Sequence, residues 1–305
     1  MFSLFIKIHH RIFKITTNSL YVYNILKMEL LFEKDCFEYE KEIVIKYIPL
    51  EQLYQKHIHD ERIHTYHEPI ILTKRQVSTM IITSVSDVYS IRAFITREIL
   101  EYLYSLGNYL ALHSSVVVTE NNKGILFSGE KNSGKSSMSL ASTLCSNAGL
   151  VSDDITILYI EDNKIVTEGI FKGINADDQT ANILKTGIGK STNLPAVKER
   201  YIINEMFYKK HAQITVACFS CVAKTTKSVC IKRINKKTFY DEFQANLIRT
   251  FFGQRMEIEP YFLLDMMDIM FSSTDIYKVK LKDHIIDSHY ELKELIYKRK
   301  RKNKC

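Results

Sequence analysis

Residues Gly129 to Ser136, Gly-Glu-Lys-Asn-Ser-Gly-Lys-Ser, fit the pattern G-x-x-x-x-G-K-[ST] at every fixed position. Each fixed residue has a task in gripping phosphate. Gly129 and Gly134 let the backbone turn tightly and approach phosphate oxygens. Loop N–H groups and the N-terminus of the following helix then face negative charge. The Lys135 ammonium reaches β- and γ-phosphates, and the Ser136 hydroxyl suits Mg2+. Candidate nucleotide contacts are therefore Gly129, Glu130, Lys131, Asn132, Ser133, Gly134, Lys135 and Ser136, with Ser137 beside them.

The flanks agree with the motif. Ile125, Leu126 and Phe127 form a short apolar run that reads as a buried strand. Residues 136–147 read as a helix with Met138, Leu140, Ala141 and Leu144 near one face. Upstream, residues 109–118 read as one strand containing Leu112-His-Ser-Ser-Val116. Glu120-Asn-Asn-Lys-Gly124 has hairpin-turn chemistry. The strand before the turn and the strand after it should pair antiparallel. Downstream, residues 149–160 read as an apolar strand interrupted by Asp153 and Asp154. Adjacent carboxylates in such a strand are costly unless a cation or donors receive them. A phosphate loop with its Mg2+ is such a reason.

The remaining elements position this centre. Residues 91–107 carry Ile91, Phe94, Ile95, Ile99 and Leu103 at helical spacing, with Gly107 as the stop. Strands are expected over 2–16, 43–48, 70–72, 80–82 and 165–168. Residues 214–222 and 229–234 are expected to pair with each other, and 276–281 to form the last strand. Residues 20–32 are ambiguous between strand and helix. Helices are expected over 180–185, 239–252, 261–271 and 285–297. The organisation is a β-rich N-terminal region, 1–88, a catalytic domain, 89–297, and a basic tail, 298–305.

Composition excludes several classes. Of 305 residues, 46% are apolar and 25% charged, an ordinary globular profile. The net charge of +7 includes six positive residues within 298–304, so the body stands at +1. No nucleic-acid partner is expected from that balance. No apolar run reaches the ~18 residues of a membrane helix. Charge enters the N-terminus too early for a secretory signal. Cys218 and Cys221 lie on a strand at a spacing that faces opposite sides, so they read as core thiols of a cytoplasmic protein rather than half a zinc site. The histidine-dense segment 57–67 matches no metal motif and reads as a polar loop.

Taken together, His113 on a strand, the loop 129–136, and Asp153-Asp154 after the loop helix resemble the catalytic domain of HPr serine kinase. The set is still more similar to the short kinase-like proteins of peptide-natural-product clusters, including kinases of lasso-peptide precursors. The matched pieces lie within residues 91–170. The resemblance implies an α/β fold: a mixed-sheet phosphate-loop kinase core related to phosphoenolpyruvate carboxykinase. It implies ATP and Mg2+ as cofactors, a peptide or protein bearing an acceptor serine as partner, and a homo-oligomer as an expected state. In such an enzyme Asp153 is assigned as proton acceptor, and Asp154 stands near the metal with Ser136. Strand neighbours face opposite ways, so the two aspartate roles are exchangeable at this stage. His113 would sit beside the γ-phosphate or orient the first aspartate. Residues 194–201 are the nearest match to the family's later signature, with Lys198 and Arg200 as phosphate contacts or a solvated loop. Competing classes are an NTPase switch and a non-catalytic nucleotide sensor.

Overall fold

The computed structural model describes residues 1–33, 38–49, 70–74, 77–82, 88–146, 148–176, 191–192, 199–202, 207–223, 228–251, 254–282 and 285–302. The histidine-dense segment 57–67, the expected helix 180–185 and the Lys198 position lie outside them.

Alternating apolar residues open the chain as a hairpin, β1 (Phe2–Ile8) and β2 (Arg11–Thr17). The ambiguous stretch that follows is a helix, α1 (Leu20–Glu29), because the Ser19 side chain caps it by accepting from Val22 N. Strands β3 (Lys41–Tyr47), β4 (Ile70–Lys74) and β5 (Val77–Ile82) complete a mixed sheet of order β1-β2-β3-β5-β4. Next come α2 (Val88–Ser105), β6 (Leu110–Leu112), β7 (Ser114–Val118), β8 (Gly124–Ser128), α3 (Lys135–Ser146) and β9 (Gly149–Ser152). Strands β10 (Thr156–Glu161), β11 (Lys164–Glu168), β12 (Gly173–Ala176), β13 (Ser191–Thr192) and β14 (Glu199–Ile202) follow. The chain ends with β15 (His211–Val222), β16 (Cys230–Arg233), α4 (Lys236–Asn246), β17 (Thr250–Phe251), β18 (Gln254–Arg255), α5 (Pro260–Ser273), β19 (Asp275–Leu281) and α6 (Ile285–Lys302).

The large sheet runs β6-β10-β11-β15-β8-β7-β9, with β19 beside β15 and β16 beyond it. The hairpin β7–β8 is antiparallel, Ser114 opposite Ser128, as the turn chemistry requires. Other expectations need correction. Strands β15 and β16 are not partners: β19 lies between them, parallel to β15 and antiparallel to β16. Two parallel neighbours need a long crossover, and α4 and α5 supply it. Helix α4 stops at Asn246 rather than near 252. Leu247 is extended there, and Ile248 N donates to Ala111 O, so the chain straightens to cover the edge of β6. Helix α6 continues past 297 into the basic run.

Period-two alternation divides the core between the two faces of the large sheet. Val117, Phe127, Val216 and Cys218 face the α3 and α6 side. Val116, Val118, Leu126, Ala217 and Phe219 face the side covered by α2, α4 and α5. That second cluster is continuous with the N-terminal sheet through Ile6, Ile15 and Ile43. A polar staple adds to the junction. His9 N donates to Glu168 Oε2 at 2.6 Å, and its ring stacks on Tyr159. Cys218 is wholly buried, which pushes its thiol up to about 12, so it is a core group as expected. Among the described residues no helix is long and apolar enough to cross a membrane.

Helices α3 and α6 meet at His289, which is buried. Its Nδ1 lies 3.2 Å from Ser142 Oγ and its Nε2 2.8 Å from Ser146 Oγ, while Lys293 Nζ donates to Ser146 Oγ. Burial, helped by Lys293, lowers its pKa to about 4. The neutral ring is the folded form, so the unfolded chain binds the extra proton between pH 6.5 and pH 4. Stability is therefore lost as pH falls through that window. Urea unfolding should show His289→Gln losing about 1–3 kcal/mol less than the parent protein between pH 7 and pH 4. Parallel curves for the two proteins would contradict this.

Candidate active site

The glycine loop owes its path to two close approaches. Strand β8 ends at Ser128, and Gly129 turns at φ 149° against the parallel strand β15. A Cβ on Gly129 would lie 2.4 Å from Ser220 O and 2.7 Å from Ser133 Oγ. Gly134 turns at φ 86°, where a Cβ would meet Leu281 Cδ1 at 2.9 Å. Asn132 takes the left-handed conformation at φ 65°, which asparagine tolerates. Ser133 N donates to Glu130 O, and Met138 N to Gly134 O, so the turn passes directly into α3. Glu130, Lys131 and Asn132 are exposed, Ser133 is buried, and Ser136 and Ser137 are half-buried at the helix start. Lys135 is buried. Its ammonium donates to Gly129 O at 2.9 Å and Glu130 O at 2.8 Å. The loop is thus closed around its own lysine, and a phosphate entering it would exchange for these carbonyls.

His113 and the two aspartates lie at one break in the sheet. The expected strands 109–118 and 149–160 are each split in two. Strand β7 pairs with β9 up to Val116 opposite Ser152, and β6 pairs with β10 from Leu112 opposite Thr156. The antiparallel ladder is therefore open between these pairs, with residues 113–115 facing 153–155. Hydroxyls bridge the opening. Ser115 Oγ donates to Ser152 O, Thr156 Oγ1 donates to Ser114 O, and Ser152 Oγ lies 2.8 Å from Thr156 Oγ1. The His113 backbone leaves the ladder and bonds Asn246 O.

The break changes how the acidic pair faces. Asp154 has φ 72°, so the two residues form a turn and do not alternate as strand neighbours. Asn175 holds both carboxylates: its N–H donates to Asp153 Oδ2 at 3.0 Å and its side-chain amide to Asp154 Oδ2 at 3.2 Å. His113 Nε2 lies 3.2 Å from Asp154 Oδ1, so it pairs with the second aspartate rather than the first. Both partners remain accessible, at 39% and 49% exposed. The glycine loop starts beside this group. Ser128, the residue before Gly129, is paired with Ser114, the residue after His113, and Ser128 Oγ donates to His113 O. Paired residues stand about 5 Å apart, so loop entrance and histidine share one end of the sheet.

Asn175, Ser220 and the bridging hydroxyls carry no signal in the sequence, since serine and asparagine are common in turns and strands alike. The side chains of residues 194–201 are outside the described structure. Among the described residues no group of three or more His, Cys, Asp or Glu forms a metal cage. Mg2+ with a nucleotide needs only one or two carboxylates, phosphate oxygens and waters. The oxygen donors of Ser136 and Asp154 suit such a hard cation.

A cleft of about 550 Å³ opens on the same group. His113, Asp153 and Asp154 line it, Phe171 and Leu247 contribute apolar wall, and Arg249 and Phe251 come from the segment after α4.

No family model and no curated protein matches the chain. A solved structure, the Hpr(Ser) kinase/phosphatase from Coxiella burnetii, aligns with 64% of this chain and 99% of its own at 14% identity and a TM-score of 0.33. A likeness of that size carries no conclusion about activity.

The loop geometry separates two substitutions. Gly129→Ala forces a Cβ into Ser220 O and should cost ~1–3 kcal/mol of stability. Asn132→Gly, at an exposed left-handed position, should stay within about 1 kcal/mol of the parent. Thermal or urea unfolding checks both, and equal effects would contradict the close approach to β15.

Proposed function

We propose that the protein is an ATP-dependent kinase with a core of the HPr kinase type, transferring the γ-phosphoryl group to a serine hydroxyl of a peptide or protein. The supporting observation is the ladder opening that sets His113 and the aspartate pair beside the entrance of the glycine loop. The matching order of motifs in the chain adds to it. ATP would lie on residues 129–137, its phosphates replacing the loop carbonyls now held by Lys135. Mg2+ held by Ser136 and Asp154 would supply charge neutralisation on the phosphate oxygens.

The protein's own groups then have distinct tasks. Lys135 binds phosphate oxygens, and the helix N-terminus of α3 adds favourable potential. The acceptor hydroxyl enters from the cleft. Asp153, fixed by Asn175 N–H, accepts its proton as the acceptor oxygen bonds to phosphorus. The bond from γ-phosphorus to the bridging oxygen breaks, and ADP leaves with the electron pair. His113 holds Asp154 in place from the other side. Phosphoryl transfer has a loose transition state, so such positioning and neutralisation provide most of the catalysis.

The test is direct. Protein, ATP and Mg2+ are incubated with synthetic serine peptides, including any encoded beside the gene, and products are weighed by mass spectrometry. One phosphoryl group should be gained per acceptor serine. Asp153→Asn should bind nucleotide within a few-fold of the parent and lose transfer by ~10²–10⁴. ATP turnover that leaves every peptide unmodified, or an Asp153→Asn variant that transfers normally, overturns the proposal.

A further inference from the structure

Arg249, in the cleft beside the aspartates, has no carboxylate partner among the described residues. It is exposed, and its guanidinium lies 3.5 Å from the neutral Gln244 side chain. The other cleft arginine differs. Arg92 is paired with the buried Glu29 at 3.1 Å and lies over the Phe171 ring at 5.1 Å. Arg92 is thus neutralised and built into the wall. The cleft lining therefore combines the acidic Asp153 and Asp154, the apolar Phe171, Leu247 and Ile248, and the cationic Arg249.

The backbone ties the segment that carries Arg249 to the His113 side of the cleft. Asn246 O accepts from His113 N, and Ile248 N is tied to Ala111 O. Tyr104 OH donates to Ile248 O, so the segment entering Arg249 is held on both sides. Arg249 follows Asn246 by three residues, a span of at most about 10 Å. The pair β17 and β18 continues from it. A volume of about 550 Å³ is within the range that encloses a drug-sized ligand, so residues flanking an acceptor serine have room.

Resting on the kinase reading of this site, we infer that Arg249 reads a carboxylate on the acceptor within three residues of the phosphorylated serine. The acceptor places its hydroxyl at Asp153, an apolar residue in the middle and its carboxylate on the guanidinium, which matches carboxylate geometry. The carboxylate is either a side chain or the C-terminus of the peptide, and the test separates these.

A degenerate peptide library with one fixed serine is phosphorylated with ATP and Mg2+, in free-acid and amidated forms. The expected result is about tenfold preference for Asp or Glu within three residues of serine, or the same preference for free acid over amide when serine lies near the end. Arg249→Gln should erase that preference, and Arg249→Glu should turn it toward Lys and Arg. Nucleotide affinity of both variants, read by a fluorescent ATP analogue, should match the parent. Transfer indifferent to the carboxylate in the parent protein overturns the inference while leaving the kinase reading intact. So does an Arg249→Gln variant that loses affinity for ATP and treats all peptides alike. Absence of transfer to any library member overturns the kinase reading itself.

Discussion

The arrangement depends on one interrupted ladder. Two strands that would otherwise pair throughout are opened for three residues on each side, and the opening is where His113 and the aspartates sit. A regular ladder would alternate Asp153 and Asp154 across the sheet and bury one of them among valines. The turn at Asp154 removes that conflict. Three backbone groups released by the opening are taken up: Ser152 O by Ser115, Ser114 O by Thr156, and His113 N by Asn246 O. Serine and threonine suit this task because one hydroxyl both donates and accepts in little space.

The rest of the molecule fixes the edges of that opening. Strand β8 carries the glycine loop and is clamped between β7 and β15, so the loop begins level with His113. Beyond β15, β19 supplies Leu281 beneath Gly134. The loop is thus shaped by a close backbone approach at Ser220 O and by the Leu281 side chain. Behind it, α3 and α6 seal one face of the sheet, while α2, α4 and α5 seal the other. The segment that ends α4 does double duty: it covers the edge of β6 and brings Arg249 to the cleft. The N-terminal sheet also reaches the site, because Glu29 at the end of α1 holds Arg92 in the cleft wall.

The loop, its helix and the flanking strand were legible because their residue types are forced by local geometry. Gly129 and Gly134 occupy conformations or contacts that exclude a side chain, and β7 and β8 carry the short apolar runs Val116-Val117-Val118 and Ile125-Leu126-Phe127 of buried strands. The hairpin between them was legible for the same reason. The ladder break was not, because Leu112-His-Ser-Ser-Val116 has the pattern of an unbroken strand; the interruption is set by long-range pairing with β10 and by Asn246. The order of β15, β19 and β16 was hidden for a related reason. Sequence adjacency suggests that β15 and β16 pair, whereas β19 arrives from beyond α5 and lies between them. Asn175 and Arg249 were invisible as site residues, since each acquires meaning only from what the fold sets beside it. The periodicity behind the expected helix 239–252 runs past Asn246, and the free edge of β6 outweighs that local preference.

The central claim is that the glycine loop and the opened ladder face one nucleotide. A crystal structure with Mg2+ and a non-hydrolysable ATP analogue tests it most directly. The account predicts the triphosphate on residues 129–136, the Lys135 ammonium moved from the loop carbonyls to the phosphates, and the Asp153 and Asp154 carboxylates next to the γ-phosphate. A nucleotide bound elsewhere, or a triphosphate in the loop with both carboxylates facing away from it, would contradict the account.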